Sequence, residues 1–189
     1  NMKLTERLRR AIDLAARLHN GQVRKTADVL PYISHPFAVA WIVAQYTDDE
    51  DSIIAALMHD TLEDVKGYTM EQLISDCGQR VADIVKGVSE EKSLPFEKRK
   101  QLYIETIKQG SLESMMICAA DKIHNMRSMM EAAEKEGEEF WNRFHGGDDT
   151  RREFFGAVLE TVKNTFDHPI IAELEKTYND FCAALEPAT

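Results

Sequence analysis

Six consecutive residues, His59-Asp60-Thr61-Leu62-Glu63-Asp64, follow the apolar run from Ile53 to Met58 and carry one imidazole and three carboxylates. In a continuous helix Glu63 stands four residues after His59, and Asp64 four after Asp60. The spacing therefore predicts that all four polar groups share roughly one side. Three acids and an imidazole at the end of an apolar helix repel one another unless a positive group sits among them, and a bound divalent cation is the commonest such group. An acidic helix end facing water is the plain alternative, although acids at a C-terminus oppose the helix dipole.

A second polar cluster, Asp121-Lys122-Ile123-His124-Asn125 with Ser128 beyond it, lies in a stretch rich in Met and Ala. Asp121, Asn125 and Ser128 follow the i, i+4, i+7 spacing and share a helix face. A buried Asp there stays charged only beside a cation or hydrogen-bond donors. A salt bridge to a neighbouring cationic side chain would satisfy it as well as a metal would. His35 is held by a helix-start signal, Ser34-His35-Pro36, in which Ser34 or His35 suits the cap and Pro36 the first helical position. Together His35, His59, Asp60 and Asp121 offer two imidazoles and two carboxylates. That mixed set suits Mn²⁺, Fe²⁺ or Zn²⁺ better than Ca²⁺ or Mg²⁺, and the absence of a thiolate points away from a structural zinc site. Four protein ligands leave room on a six-coordinate ion for water and a phosphate oxygen.

The elements that must position these groups read as helices. Leu4, Leu8, Ala11, Ala15 and Leu18 recur at steps of three and four, predicting an amphipathic helix to about His19. Residues 20–32 form a loop with scope for a short hairpin, and a helix follows from Pro36 to about Tyr46. The acids at 48–51 favour the start of the helix that leads into the hexad. Thr69 and Gln72 signal another helix start, with helices expected over 69–76 and 78–88 divided near Gly78. Further helices are expected from about Pro95 to Lys108 and, capped by Ser111, over about 111–134. The methionines of that last helix read as a core face. Trp141 and Phe144 suggest a short packed helix, Gly146-Gly147 a break, and the final helices fall at about 150–166 and 169–185. Strand-type alternation is missing throughout, so the fold class is all-α, with about eight to ten helices around one metal site and residues 2–189 as a single domain.

Composition narrows the function. Lys and Arg number 23 against 33 Asp and Glu, for a net charge of −10, which disfavours nucleic acid and anionic membranes as partners. A small anionic ligand remains compatible if the site carries its own positive charge. The three cysteines, Cys77, Cys118 and Cys182, form no CxxC pair and suit a reducing cytoplasm. No run approaches the length of a membrane span, and no signal peptide is recognisable.

At this point the chain resembles a known family. His35, His59-Asp60 and the distant Asp121 match the H…HD…D pattern of HD-domain metal phosphohydrolases. More narrowly, Arg24-Lys25, Pro31-Tyr32-Ile33-Ser34-His35-Pro36, the hexad, and Ala120 to Arg127 resemble the hydrolase domain of RelA/SpoT-type proteins, above all the stand-alone small alarmone hydrolases. The resemblance covers about residues 15–130 well. It implies an all-helical HD fold that binds one Mn²⁺ and removes the 3′-pyrophosphate from guanosine tetra- or pentaphosphate. It further implies that His35, His59, Asp60 and Asp121 ligate the metal, and that Glu63 and Asp64 orient and deprotonate the attacking water. Arg24 and Lys25 would hold the nucleotide, with Asn125 and Ser128 at its ribose or phosphates. Relatives often have a glycine where this chain has Val29 or Leu30. Cations of the 92–100 segment could reach phosphates, though a solvated helix face is the simpler reading. Other substrates open to such a site are adenosine 3′-pyrophosphates and the 2′-phosphate of NADPH; a non-catalytic nucleotide-binding regulator is the alternative of a different class.

Overall fold

The computed structural model describes residues 3–24, 29–137, 140 and 148–185. Among these residues the helices are α1 (Glu6–Leu18), α2 (Ser34–Val43), α3 (Glu50–Met58), α4 (Thr61–Asp64), α5 (Met70–Cys77), α6 (Gln79–Lys86), α7 (Phe96–Gln109), α8 (Leu112–Glu136), α9 (Asp148–Thr165) and α10 (Ile170–Leu185). The architecture is all-α. The hairpin of the 20–32 loop reduces to one antiparallel bridge between Val23 and Pro31. Arg24 N–H to the Leu30 carbonyl and Tyr32 N–H to the Gln22 carbonyl, both 2.9 Å, close it. The short helix expected around Trp141 and Phe144, and the break at Gly146-Gly147, lie outside the described residues.

Local signals account for most helix starts. Asp49 accepts from the Ser52 N–H at 3.1 Å to cap α3, and Ser111 accepts from the Ser114 N–H at 3.1 Å to cap α8. Thr69 and Gln72 form a reciprocal capping box on α5. Gly78 separates α5 from α6 with a φ of 96°, in the left-handed region that glycine enters without a Cβ penalty. The start of α2 departs from expectation. It begins at Ser34 with Ile33 at the cap and no side-chain cap, so Pro36 occupies the third position. Proline is tolerated there because the first four N–H groups have no intrahelical acceptor. The Ser34 and His35 N–H groups bond instead to the Pro31 and Tyr32 carbonyls at 3.1 and 2.9 Å.

Helices α3 and α8 form the centre. Every residue of α8 from Ser114 to Ile123 is buried, the pattern of a helix enclosed on all sides. Helices α2, α3 and α10 pack on it, joined by α6, α7 and α9. On α3, Ser52 to Met58 are all buried, with α1, α2 and α6 around them. Truncating a core side chain such as Leu57, 2% exposed, to Ala would cost about 2–5 kcal/mol. Met115, Met116 and Met126 of α8 are core residues, as their type predicts. Gly87, just past the end of α6, packs against α8 so tightly that a Cβ there would lie 2.4 Å from Ser114 Oγ. Ser114 is fully buried and its hydroxyl donates to the Ile84 carbonyl at 2.8 Å. That contact fixes where the loop after α6 leaves the core, and the loop reaches the site from there.

Candidate active site

The hexad is not one continuous helix. Helix α3 ends at Met58, and the side chains of the next residues take up its last carbonyls: His59 Nδ1 bonds to the Ala56 carbonyl at 2.8 Å, and the Thr61 hydroxyl donates to the Met58 carbonyl at 2.6 Å. Such local bonds compete with the main-chain ladder. The ladder resumes in α4, where the Glu63 and Asp64 N–H groups bond to the Asp60 carbonyl at 3.2 and 2.8 Å. The single polar face expected of an unbroken helix is therefore corrected to two directions. His59 and Asp60 turn inward towards His35, whereas Glu63 meets the loop after α6 and Asp64 meets Tyr32 and Lys92.

Four residues from α2, α8 and the α3–α4 turn converge. His35 Nε2 lies 3.2 Å from Asp121 Oδ1 and 3.4 Å from Asp60 Oδ2. His59 Nε2 lies 3.3 Å from Asp60 Oδ2 and 3.9 Å from Asp121 Oδ1. One ligand atom each from buried His35, His59 and Asp121 falls within 4.8 Å of the others. Asp60 stands beside both imidazoles, and its Oδ2 also accepts the Tyr32 hydroxyl at 2.7 Å. His59 Nε2 is buried without a hydrogen-bond partner. Because its Nδ1 faces a carbonyl, which can only accept, a neutral His59 presents a lone pair at Nε2, the tautomer that metal-binding histidines adopt. The donor set fits a divalent metal ion. Burial disfavours a charged His35, yet Asp121 and Asp60 outweigh it and raise its pKa. Burial likewise opposes an ionised Asp121, but Lys122, His35 and His59 hold its carboxyl well below the usual range.

Asp121 forms the salt bridge to a neighbouring cation and still turns one oxygen to the imidazoles. Its Oδ2 accepts from Lys122 Nζ at 2.6 Å, while Oδ1 accepts from Asn125 Nδ2 at 2.5 Å and faces the imidazoles. Lys122 is 7% exposed and lies 4.8 Å from the Tyr103 ring centre and 5.5 Å from that of Phe154. Sequence reasoning did not assign it to the site; the readable signal was a lysine directly following a buried aspartate on an apolar helix. Glu63 Oε1 accepts from the Glu90 N–H at 2.7 Å, and Lys92 lies 3.5 Å from Glu63 Oε2 while also pairing with Asp64. Burial pushes the Glu63 carboxyl up to about 7, reinforced by Asp60 and opposed by the Glu90 N–H and Lys92. A cavity of about 50 Å³ lies among His59, Asp60, Glu63, Glu90, Asp121 and Lys122, room enough for a water.

Beyond the histidine–aspartate cluster a cavity of about 590 Å³ is lined by Gln22, Arg24, Tyr32, Asp64, Asn125 and Ser128, among others. The Tyr32 hydroxyl reaches both Asp60 and Asp64, at 2.7 and 3.3 Å, and so joins this cavity to the ligand cluster. Arg24 stands 6.0 Å from the Tyr32 ring centre. Lys25 lies outside the described residues. A larger cavity, about 710 Å³, opens between α6 and α7 but contains neither imidazole of the cluster. The solvated face expected for 92–100 is corrected in part. Lys92 pairs with Glu63 and Asp64, and Arg99 and Lys100 pair with Glu90 at 3.0 and 2.7 Å, because the acids around the site draw them inward. His124 lies 2.8 Å from His35, Nδ1 to Nδ1, and burial together with His35 pushes its pKa down to about 4. His19 bonds to Gln22 at 2.8 Å, and Gln22 in turn donates to the Asp64 carbonyl at 2.7 Å. Among the described residues no helix is long and apolar enough to cross a membrane.

The chain is similar to known proteins over most of its length. The HD_4 family model, described as an HD domain, matches residues 11–144. The guanosine-3′,5′-bis(diphosphate) 3′-pyrophosphohydrolase of Haemophilus influenzae is 39% identical over 122 residues, which cover 61% of this chain and 18% of that protein. The enzyme of the same description from Danio rerio, MESH1, is 37% identical over 131 residues, covering 68% of this chain and 72% of its own. A solved metazoan ortholog of SpoT, described as hydrolysing ppGpp and acting in starvation responses, superimposes with a TM-score of 0.79 at 25% identity, over 95% of this chain and 98% of that one. With its family pattern matched over most of its length and its histidines and aspartates gathered in one buried cluster, the chain belongs to the HD-domain family.

Proposed function

We propose that this protein is a Mn²⁺-dependent phosphohydrolase that removes the 3′-pyrophosphate of guanosine tetra- or pentaphosphate. The observation that carries the metal reading is His59 Nε2, a buried ring nitrogen with no hydrogen-bond partner beside His35 and Asp121. The substrate reading rests on the relatives named for that activity and on a nucleotide-sized cavity next to the ligands. His35, His59, Asp60 and Asp121 would hold the ion. When bound, it supplies a Lewis acid that polarises a phosphoryl oxygen and acidifies water.

The chain's own residues do the rest. Glu63, with its carboxyl near 7, accepts a proton from the attacking water, and Asp64, at the edge of the nucleotide cavity, orients that water. Water oxygen forms a bond to phosphorus as the bond from phosphorus to the ribose 3′ oxygen breaks, and that oxygen leaves as a hydroxyl by taking up the proton that Glu63 removed from the water, releasing pyrophosphate. Displacement at phosphorus depends mainly on positioning and charge neutralisation. Arg24 offers a planar group for the base, Lys25 a compact charge for phosphate, and Asn125 and Ser128 polar groups for the ribose or phosphates.

The test is a Mn²⁺-supplemented turnover panel of guanosine and adenosine 3′-pyrophosphates and NADPH, with products identified. Pyrophosphate released from the guanosine compound is the expected result. Turnover of only NADPH, releasing phosphate, would overturn the substrate, and metal-loaded protein that turns over none of them would overturn the enzyme reading.

A further inference from the structure

We propose that His124 is the positioning residue that makes His35 a metal ligand: it accepts the Nδ1 proton of His35 and thereby leaves His35 Nε2 with a free lone pair. The inference rests on the proposed reading of His35 as a ligand.

The two Nδ1 atoms lie 2.8 Å apart, with ring centroids 4.9 Å apart and planes inclined by 44°. At that separation one nitrogen donates and the other accepts. If His124 donated, a neutral His35 would carry its own proton on Nε2, the atom 3.2 Å from Asp121 Oδ1 and 3.4 Å from Asp60 Oδ2, and no lone pair would face the ion. If His35 donates, its Nε2 lone pair joins that of His59. The partner of His59 Nδ1 is the Ala56 carbonyl, which settles the tautomer because a carbonyl only accepts. His35 has an imidazole in that place, so its ligand form requires His124 to hold its proton on Nε2. Helix α8 thus contributes one ligand, Asp121, and three residues later the group that prepares another.

Mn²⁺ binding to the metal-free full chain, measured by calorimetry, tests this with two variants. His124→Leu removes the acceptor, and binding should weaken about 10- to 100-fold. His124→Asn places a carbonyl oxygen near the lost Nδ1, and it should restore most of the affinity that the leucine variant loses. Long-range ¹H–¹⁵N spectra of the diamagnetic Zn²⁺-loaded protein should show His124 unprotonated at Nδ1 and protonated at Nε2, which a purely structural role for His124 would not require. Unchanged binding in His124→Leu, equal losses in the two variants, or a His124 proton on Nδ1 in the loaded protein would overturn the proposal. Should the leucine variant fail to fold, the asparagine variant and the spectrum still decide. Failure of the natural protein to bind either ion would instead overturn the metal reading beneath it.

Discussion

The main-chain N–H of Glu90 donates to Glu63 Oε1 at 2.7 Å, joining residues 27 apart in the chain. The bond ties the end of the hexad to the loop after α6 and leaves Oε2 turned towards Lys92. One carboxylate oxygen is thus held by the backbone while the other stays in the polar interior.

Glu63 should set the acid limb of the pH profile. Burial pushes its carboxyl up to about 7, and only the ionised form accepts a proton, so kcat/KM should rise with pH through that value. Glu63→Gln should lower kcat by about 10²- to 10⁴-fold and abolish the limb while metal content stays unchanged. Steady-state rates from about pH 5 to about pH 9 check it; an unaltered profile in the variant would assign the proton to another group.

Asp121→Ala should lose the ion and also weaken the metal-free fold. The substitution leaves Lys122, 7% exposed, without its anion, at a cost of about 3–5 kcal/mol. Elemental analysis after dialysis reads the first effect and urea unfolding of the metal-free proteins the second. Full metal occupancy in the variant would remove Asp121 from the ligand set.

Arg80 joins three helices: its guanidinium lies 2.9 Å from Asp49, 2.8 Å from Asp51 and 2.9 Å from Glu113. Its hydrogen bond holds the Asp49 carboxyl below the usual range; for Asp51, Arg80 and Arg7 overcome the opposing effect of burial. A depressed carboxyl contributes stability above its unfolded pKa and loses it as pH falls through the folded value. Arg80→Leu should therefore lower Tm at neutral pH, and the gap should close as pH drops below about 4. A gap independent of pH would mean that Arg80 acts by packing alone.

Gly87→Ala should disturb catalysis without touching the site. Its Cβ would meet Ser114 Oγ at 2.4 Å and Ser114 Cβ at 2.9 Å, and Ser114 is fully buried, so α6 must shift away from α8. Overpacking of this kind costs about 1–3 kcal/mol. The shift moves the loop that carries Glu90, so kcat should fall together with Tm. A lower Tm with kcat intact would show that the loop adjusts independently.

Much of this was legible from residue types and local spacing. The caps of α3, α5 and α8, the division at Gly78 and the methionine core face all depend on neighbours within a few residues. His35, His59, Asp60 and Asp121 were grouped by the donor types they offer and by the H…HD…D pattern they match, since no local spacing links His35 or Asp121 to the hexad. What spacing alone missed depends on competing or distant partners. An unbroken helix through the hexad failed because His59 and Thr61 each claimed a carbonyl of α3. The Tyr32 contact with Asp60 spans 28 residues, and the Glu63 and Asp64 pairings with Lys92 require the loop after α6 to fold back. No local period encodes these approaches.

Helix α8 acts as a ruler. Asp121, in the histidine–aspartate cluster, and Ser128, in the cavity beside it, belong to one helix, so the span between them is about 10 Å, seven residues at 1.5 Å each. That length is built into the rod and does not depend on any loop. A ligand anchored at the cluster would be read at a fixed distance, and one extra residue between the two marks would swing Ser128 about 100° away from the cavity.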